Sequence, residues 1–363
     1  MLHLSLARWT VVAVIAAMVV GPIAHACTGI TVKPKDGSVV FARTLEFGVD
    51  LESNILVIPR GTKYVGSTVD GAAGLAWSSK YAVVGANAFG MPVTIDGLNE
   101  KGLHVGLFYF PGFAKYHDVA PANAGESLAP WEFGVYLLGT CADVKEAAAA
   151  AERVLVGPVV QKDMGFVPPV HYIATDDAGR SIVIEYVDGK TKLHPNPLGV
   201  MTNSPTFDWH LTNLANYANL SADNAGKLDL AGQKIQPLGQ GSGMLGLPGD
   251  FTPPSRFVRA VAFSKSALPV DDSQAGVLQA FHILNQFDIP KGSAREVEHG
   301  HTVSDYTIWT SAAGLKNRRY HFRTYDNSRI RMVDLTRFDL DGPTPSVISM
   351  KGPEQIEDVS NRK

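Results

Sequence analysis

The sequence predicts an α+β protein in which helices cover two packed β-sheets, forming a four-layer αββα sandwich. Short β-branched runs bounded by turn residues fill both ends of the chain, as in SVVFARTLEF (38–47) and SIVIEYV (181–187). These runs are almost continuously apolar, which is typical of strands that are covered on both faces. Helical periodicity between the strand-rich parts indicates the elements that provide this cover.

Turn residues divide the predicted strands, and Asp177-Ala178-Gly179 and Asp188-Gly189 have the composition of hairpin turns. The predicted strands lie, in order, within 27–34, 38–47, 54–61, 81–89, 91–110, 171–194 and 305–335. The predicted helices lie within 127–140, 142–156, 208–220, 255–268 and 273–287.

The composition is that of a globular protein, with 45% hydrophobic residues, 18% charged residues and a formal net charge of −3. It excludes a disordered chain, and it argues against nucleic-acid binding, which requires basic patches. After residue 26 no Pro/Ser/Gly linker, charge run or internal repeat divides the sequence. We therefore expect one domain over residues 27–363.

The first 26 residues have the features of a cleaved signal peptide. Arg8 is followed by TVVAVIAAMVVGPIA (10–24), which carries no charge and is short for a membrane span. Ala24-His25-Ala26 then fits the A-x-A cleavage pattern. The sequence predicts an exported, periplasmic protein whose mature chain starts at Cys27 and is not inserted in a membrane.

Cys27 directly follows the cleavage pattern, and this position is compatible with two hypotheses. Ordinary signal cleavage would release Cys27 as a free N-terminal residue. Lipidation of Cys27 would instead produce a membrane-tethered, non-enzymatic binding protein. The first is favoured, because lipidated sites usually carry Leu where this chain has Ala24 and a small residue where it has His25. Cys141, the second cysteine, is then predicted to be a small buried residue rather than a disulfide partner.

A free N-terminal cysteine carries its own nucleophile and its own base. The Cys27 thiol can attack an acyl carbon while the α-amino group, with a reference pKa of about 7.7–8, accepts the thiol proton. Strand alternation places Arg43 on the same face as Phe41 and Leu45. A guanidinium close to the thiol would favour the thiolate. An internal salt bridge is the alternative role for Arg43.

Five blocks of the sequence resemble one protein family. They are CTGITV (27–32), ARTLEF (42–47), DGLNEKGLHVGLFYFPGF (96–113), MTNSPTFDWHLTNLANY (201–217) and GLPGDFTPPSRFVR (246–259). In this order they resemble the choloylglycine hydrolase family of bile salt hydrolases and penicillin V acylases, from Cys27 to about residue 335. The resemblance implies an αββα fold of the N-terminal-nucleophile hydrolase type and hydrolysis of a linear carbon–nitrogen amide. It also implies no cofactor, no metal and a homotetramer.

The resemblance assigns catalytic roles to five residues. Cys27 matches the family nucleophile, with its amine as the base, and Arg43 matches the arginine held close to the thiol. Glu46 stands where the family usually has an aspartate that contacts the amine. Because its side chain is one methylene longer, the contact with the amine must have a different geometry or be replaced. Asn203 matches the side-chain donor of the oxyanion hole, and Arg256 matches the second arginine. From pattern alone, Asn203 would be a turn residue and Arg256 a helix-surface residue.

The second oxyanion donor implied by the family is a backbone N–H within GLFYFPGF (106–113), a stretch one residue longer than the family pattern. Tyr109 is the first choice for this donor and Phe108 the second. Phe47 is predicted to add another aromatic wall, with core packing as the alternative for Phe47, Phe108 and Tyr109. Trp77 is predicted to pack in the core. Such an acyl pocket favours a phenoxyacetyl or fatty acyl group over a steroid. The signal peptide also resembles the exported Gram-negative branch of the family. This resemblance implies the activity of a penicillin V or N-acyl homoserine lactone acylase, with bile salt hydrolysis as the alternative.

Two further motifs carry no predicted function. GSGMLG (241–246) matches G-x-G-x-x-G but has no strand before it and Pro248 after it, so it does not predict a nucleotide site. His299 and His301 lack a metal-ligand spacing such as H-E-x-x-H. The predicted partners are a small amide substrate with an apolar or aromatic acyl group and further copies of the chain.

Overall fold

A computed structural model describes residues 26–298 and 301–360. The predicted signal segment 1–26, apart from Ala26, and the predicted loop residue His299 lie outside the described residues. Within the described part of the chain, none of the helices combines the length and apolar character needed to cross a membrane.

The described residues form β-strands and α-helices, numbered in chain order. The strands are β1 (Cys27–Val32), β2 (Val40–Phe47), β3 (Asn54–Ile58), β4 (Lys63–Val65), β5 (Ala76–Ser78), β6 (Val83–Ala86), β7 (Asp96–Asn99), β8 (His104–Tyr109), β9 (Ser127–Leu128), β10 (Leu155–Val156), β11 (Val170–Thr175), β12 (Ser181–Val187), β13 (Lys190–Pro195), β14 (Leu228–Leu230), β15 (Gln233–Ile235), β16 (Ala294–Glu298), β17 (His301–Gly314), β18 (Arg319–Thr324), β19 (Asn327–Asp334) and β20 (Ser346–Ser349). The α-helices are α1 (Pro130–Thr140), α2 (Val144–Arg153), α3 (Phe207–Asn213), α4 (Pro253–Ser266) and α5 (Ser273–Leu284).

Two antiparallel sheets face each other at the centre of the molecule. The first has the order β1-β2-β17-β18-β19, with β16 paired to β17. The second has the order β13-β12-β11-β8-β7-β6-β3-β20. Their inner faces meet where the ring of Phe41 on β2 stacks on His104 of β8, with 4.1 Å between ring centroids. In the first sheet β1 is an edge strand, and Cys27 is its first residue.

Helices cover the outer face of each sheet, which confirms the predicted four-layer αββα class. On the first sheet, α4 and α5 pack against β1 and β2, and on the second, α1 and α2 pack against β8 and β12. The α2 helix buries Val144, Ala147 and Ala151, one face at helical spacing. Asp143 caps this helix, because its carboxylate accepts a hydrogen bond from the Glu146 N–H at 2.9 Å.

The structure differs from the sequence-based expectation in short or exposed elements. The predicted helix 208–220 is a short α3 followed by the 3₁₀ turn Leu214–Tyr217. Asn213 and Asn216 fall in this stretch, and asparagine competes with helical hydrogen bonds. The two-stranded β4–β5 and β14–β15 pairs and the edge strand β20 were not predicted.

Candidate active site

Cys27 is brought next to Asn203 by the backbone of β1. Gly29 and Met201 exchange two backbone hydrogen bonds of 2.8 and 3.1 Å, and this antiparallel bridge places position 203 opposite position 27. Only 4% of Cys27 is exposed. Ala26 still precedes Cys27 in this chain, and its carbonyl accepts a hydrogen bond from the Glu46 N–H at 3.0 Å.

The Asn203 side chain contacts three groups of the candidate site and is fully buried. Its Oδ1 accepts a hydrogen bond from the Cys27 backbone N–H at 2.7 Å. The same oxygen accepts another from Arg256 Nη2 at 2.7 Å. Its Nδ2 donates to the Tyr109 carbonyl at 2.8 Å, which leaves the second Nδ2 hydrogen for another acceptor. Asn203 therefore has its amide oxygen fixed on the nitrogen of Cys27.

Arg256 lies in the first turn of α4 and is fully buried, so the helix-surface position that pattern alone would give it is wrong. Burial of α4 against β1 aims its guanidinium at the start of that strand. Nη1 donates to the Cys27 carbonyl and, at 2.9 Å, to Thr28 Oγ1. Burial lowers the pKa of Arg256 to about 10, and the guanidinium keeps its charge at neutral pH.

Arg43 lies in the inner layer between the sheets and is also fully buried. Its Nη1 donates to the Leu107 carbonyl at 2.5 Å, and its guanidinium carbon lies 4.0 Å from the centroid of the Phe108 ring. Burial raises the pKa of the Cys27 thiol, while the positive charge of Arg43 acts in the opposite direction and favours the thiolate. Arg43 also forms a salt bridge, because Asp96 Oδ1 lies 4.0 Å from Arg43 Nη1.

Glu46 is fully buried in the candidate site. Oε1 accepts a hydrogen bond from Thr307 Oγ1 at 2.8 Å, and Oε2 has none among the described residues. Burial raises the pKa of Glu46 to about 8, against the opposing effect of Arg256. At neutral pH this carboxyl group is therefore largely protonated while Ala26 is attached.

Strand geometry separates the two candidates for the backbone oxyanion donor. The Phe110 N–H donates to the Pro169 carbonyl at 2.7 Å, so the backbone groups of Phe108, two residues earlier, also point toward β11. Those of Tyr109 point to the opposite side, where its carbonyl accepts from Asn203 Nδ2. This orientation favours Tyr109 over Phe108.

A mostly apolar pocket opens beside Cys27. Phe47, Phe108 and Tyr109 line it, as does Trp131, which sequence analysis did not single out. Its remaining lining residues are Cys27, Arg43, Leu45, Glu46, Leu51, Ala88, Phe89, Met91, Ile95, Leu107, Gln161, Met164, Pro168 and Val170. Trp77 instead stacks on Tyr64 with 4.4 Å between ring centroids, as a packing residue.

Asp96 supports the site but was not predicted, although it begins the DGLNEKG block. Its Oδ1 lies 3.0 Å from His104 Nε2, and its Oδ2 accepts hydrogen bonds from Ser311 and Tyr320. Burial alone would raise the pKa of Asp96, but His104 and Arg43 outweigh it and hold the pKa below its usual range. Asp96 is therefore the buried counter-ion behind Arg43.

Neither cysteine is in a disulfide, and both are buried, as predicted for Cys141. Burial raises the pKa of the Cys141 thiol to about 11, and Cys141 does not line the pocket. Within residues 26–298 and 301–360, no cluster of three or more His, Cys, Asp or Glu side chains is arranged to hold a metal ion.

Comparisons with known proteins identify the family of this chain. A family profile described as linear amide C-N hydrolases, choloylglycine hydrolase family, matches residues 27–348. A bile salt hydrolase/transferase from Clostridium perfringens is 34% identical over 319 residues, covering 87% of this chain and 94% of that protein. A penicillin V acylase from Pectobacterium atrosepticum is 29% identical, covering 83% of this chain and 78% of that protein.

A solved structure has the same fold. The crystal structure of a conjugated bile acid hydrolase variant from Clostridium perfringens matches with a TM-score of 0.82 and 32% identity, over 92% of this chain and 99% of that chain. With a profile match over most of the sequence, the chain belongs to the choloylglycine hydrolase family and is a hydrolase of linear amide C–N bonds.

Proposed function

We propose that the mature chain is an N-terminal cysteine amidase that hydrolyses N-acyl amides with large apolar acyl groups. The Cys27 thiol attacks the amide carbonyl carbon while its α-amine accepts the thiol proton. The C–N bond then breaks, and the leaving amine takes up a proton. Water hydrolyses the thioester, releasing the carboxylic acid and restoring the thiol.

The contacts of Asn203 are the observation that carries this proposal. The 2.7 Å contact from Cys27 N to Oδ1 would hold the α-amine beside the thiol once Ala26 has been removed. The second hydrogen on Nδ2 is suited to an oxyanion, and the Tyr109 N–H lies on the same side of β8 as the Tyr109 carbonyl that Asn203 binds. Arg256 supports the same assembly, since it binds Oδ1 and the Cys27 carbonyl.

Conjugated bile acids are the substrates that the comparisons favour. Relatives named bile salt hydrolase/transferase reach 34% identity, against 29% for the penicillin V acylase. The sequence-based preference for penicillin V or an N-acyl homoserine lactone therefore becomes the second candidate. The apolar lining beside Cys27, which includes Trp131 and Phe89, is compatible with either acyl group.

Release of the amine from each substrate class tests the proposal. The mature chain should release glycine or taurine from conjugated bile acids faster than it releases 6-aminopenicillanic acid from penicillin V. Cys27→Ser should lower kcat/KM by at least about 100-fold, because the nucleophile is weakened. Cys141→Ser, a matched change at a buried cysteine outside the pocket, should leave kcat/KM nearly unchanged. Equal activity of Cys27→Ser and wild type would overturn the mechanism.

Export by a cleaved signal peptide is the second part of the proposal. Cleavage after Ala26 would uncover the amine and the thiol of Cys27 together. The intact mass of the protein secreted by an exporting host tests this step. A mass for residues 27–363 without adduct is expected, whereas a mass increased by acyl chains would support the lipidated binding protein.

A further inference from the structure

Two buried histidine rings hold the backbone on which Asn203 is mounted. His171 Nε2 lies 3.1 Å from the Thr202 carbonyl, and His210 Nε2 lies 2.9 Å from the Asn203 carbonyl. A carbonyl oxygen only accepts hydrogen bonds, so each Nε2 must carry a hydrogen and donate it. Two consecutive carbonyl groups, one on each side of the Asn203 Cα, are therefore fixed by side chains from β11 and α3.

His210 is set for this task by its surroundings. Only 2% of the residue is exposed, and burial lowers the pKa of its imidazole to about 4. The ring is therefore neutral at neutral pH, with its single hydrogen on Nε2. It stacks on Phe257, with 4.7 Å between centroids and 16° between planes. Phe257 follows Arg256 in α4, so the same helix supports the His210 ring and supplies the guanidinium that binds Asn203 Oδ1.

His171 is held in place by a buried carboxylate. Its Nδ1 lies 3.2 Å from Glu185 Oε1, while its Nε2 faces Thr202. His194 Nε2 lies 3.3 Å from Glu185 Oε2. Burial alone would raise the pKa of Glu185, but the His171 and His194 rings outweigh it and hold the pKa at about 2.

Glu185 also joins the two histidines. Its Oε1 accepts a hydrogen bond from the N–H of Phe207 at 2.9 Å, and Phe207 is the first residue of α3, the helix that carries His210. The carboxylate on β12 therefore fixes the ring of His171 and the start of the helix that presents His210. None of these groups lines the pocket.

We propose that His171 and His210 are positioning residues for amide hydrolysis, which set the Asn203 side chain against the Cys27 nitrogen and the reacting carbonyl. This inference rests on the proposed function. Loss of either histidine hydrogen bond would let the Asn203 backbone shift. A displacement of about 1 Å can lower the reaction rate by about 100-fold. We expect the loss in kcat rather than in KM, because neither histidine ring lines the pocket beside Cys27.

A double-mutant cycle between His210 and Asn203 tests this coupling. His210→Phe keeps the stacked ring and removes the donor, and it should lower kcat by about tenfold or more while KM changes by less than about twofold. Asn203→Ala should lower kcat by about 100-fold or more. If His210 acts through Asn203, the double variant should be no slower than Asn203→Ala alone. Fully additive losses would overturn the proposal.

Two further variants separate positioning from general stability. His210→Gln, whose amide can return an N–H donor near the same point, should recover most of the lost rate. His321→Phe removes a comparable ring-to-carbonyl hydrogen bond, from His321 Nδ1 to Ala312 at 3.2 Å, and should leave kcat nearly unchanged. A similar kcat loss in His321→Phe, with all variants folded, would mean that the loss of any ring-to-carbonyl hydrogen bond lowers kcat. That result would contradict a specific role.

Alkylation of Cys27 gives a second readout of the His210–Asn203 double-mutant cycle, one that needs no amide substrate. The rate at which iodoacetamide alkylates Cys27 depends on the group that holds its nitrogen, and it can be followed on the N-terminal peptide. The same coupling between His210 and Asn203 is expected in this rate. If the wild type hydrolyses no amide, the proposed function fails while the alkylation cycle still decides this inference. An alkylation rate that responds to His210→Phe but not to Asn203→Ala would contradict it.

Discussion

The surroundings of Cys27 combine two positive side chains with one carboxyl group, all buried. Arg43 and Arg256 approach from different layers of the sandwich, and Glu46 lies in the same pocket wall as the thiol. Desolvation is the largest influence on the pKa of both Cys27 and Glu46, and it raises each of them. Removal of Ala26 would add an α-amine at this point, which becomes positive when it takes up the thiol proton. We expect the new charge to favour ionisation of both groups.

Glu46→Gln should change how stability depends on pH in a chain that retains Ala26. The pKa of Glu46 is about 8 in the folded state against an ordinary value of 4.5, so between these values the Glu46 carboxyl group is more fully protonated in the folded state than in the unfolded state. The stability that Glu46 contributes should therefore fall as pH rises through this window, by at most about 1.4 kcal/mol per pH unit, so the unfolding free energy of the wild type should fall relative to that of the variant. The variant should lack this slope.

Denaturant unfolding of both proteins at several pH values measures the effect of Glu46→Gln. Glu152→Gln, an exposed change on α2, is the matched control and should retain the wild-type slope. Parallel stability curves for wild type and Glu46→Gln between pH 4.5 and 8 would contradict a raised pKa for Glu46.

At the scale of elements, the site depends on the close approach of β1 to β8. A Cβ atom on Gly29 would lie 2.8 Å from Phe41 Cζ and 2.9 Å from Phe108 Cζ, closer than side-chain carbons pack. Glycine at this position lets the Phe108 ring lie between β1 and the Arg43 guanidinium. The stretch CTGITV was therefore predicted correctly as a strand, but its glycine could not be explained without the facing sheet.

Gly29→Ala should displace the Phe108 ring and disturb Arg43. Overpacking of this kind costs about 1–3 kcal/mol, so the midpoint of thermal unfolding should fall. Activity should fall as well, because Phe108 packs on Arg43 and both line the pocket. Gly125→Ala serves as the control, since a Cβ there meets no atom within 4 Å. Equal unfolding midpoints for the two variants would contradict this account of β1.

Some elements were missed because their local sequence lacks the usual signals. The β14–β15 hairpin turns at Ala231-Gly232, and Ala231 has a φ of 51°, which an L-residue rarely adopts. Asn-Gly or Asp-Gly would have signalled such a turn, whereas Ala-Gly does not. The strand β20 has four residues and is recognisable only from its pairing with β3. By contrast, the turns at Gly179 and Gly189 have the positive φ that their sequences predicted.

At the scale of the whole molecule, Asp96 ties the two sheets together behind the site. It lies on β7 of the second sheet, while Ser311 and Tyr320, which both donate to its Oδ2, belong to the first. These partners are separated from Asp96 by 215 and 224 residues along the chain. Pattern reasoning could not pair residues so far apart, although the family resemblance did pick out Asn203 and Arg256, which the fold brings to Cys27.

Tyr320→Phe should lower the stability of the whole sandwich. It removes the 2.6 Å hydrogen bond to Asp96 and leaves a buried carboxylate with one donor fewer, which costs about 1–3 kcal/mol. Chemical denaturation should show a single transition at lower denaturant. Tyr325→Phe is the matched control, because Tyr325 is 41% exposed and the same hydroxyl loss there should cost little. Equal stability of Tyr320→Phe and wild type would contradict the role given to Asp96.

The proposed chemistry requires Cys27 to be a free N-terminal residue, and two chains that differ by one residue test this requirement. Two chains are prepared by cleaving a removable fusion, one beginning at Cys27 and the other at Ala26. The quantity to measure is kcat/KM for release of glycine from a glycine-conjugated bile acid. We predict a loss of at least about 100-fold in the chain that keeps Ala26, because its Cys27 nitrogen is an amide and cannot act as the base. Equal activity in the two chains would contradict the account.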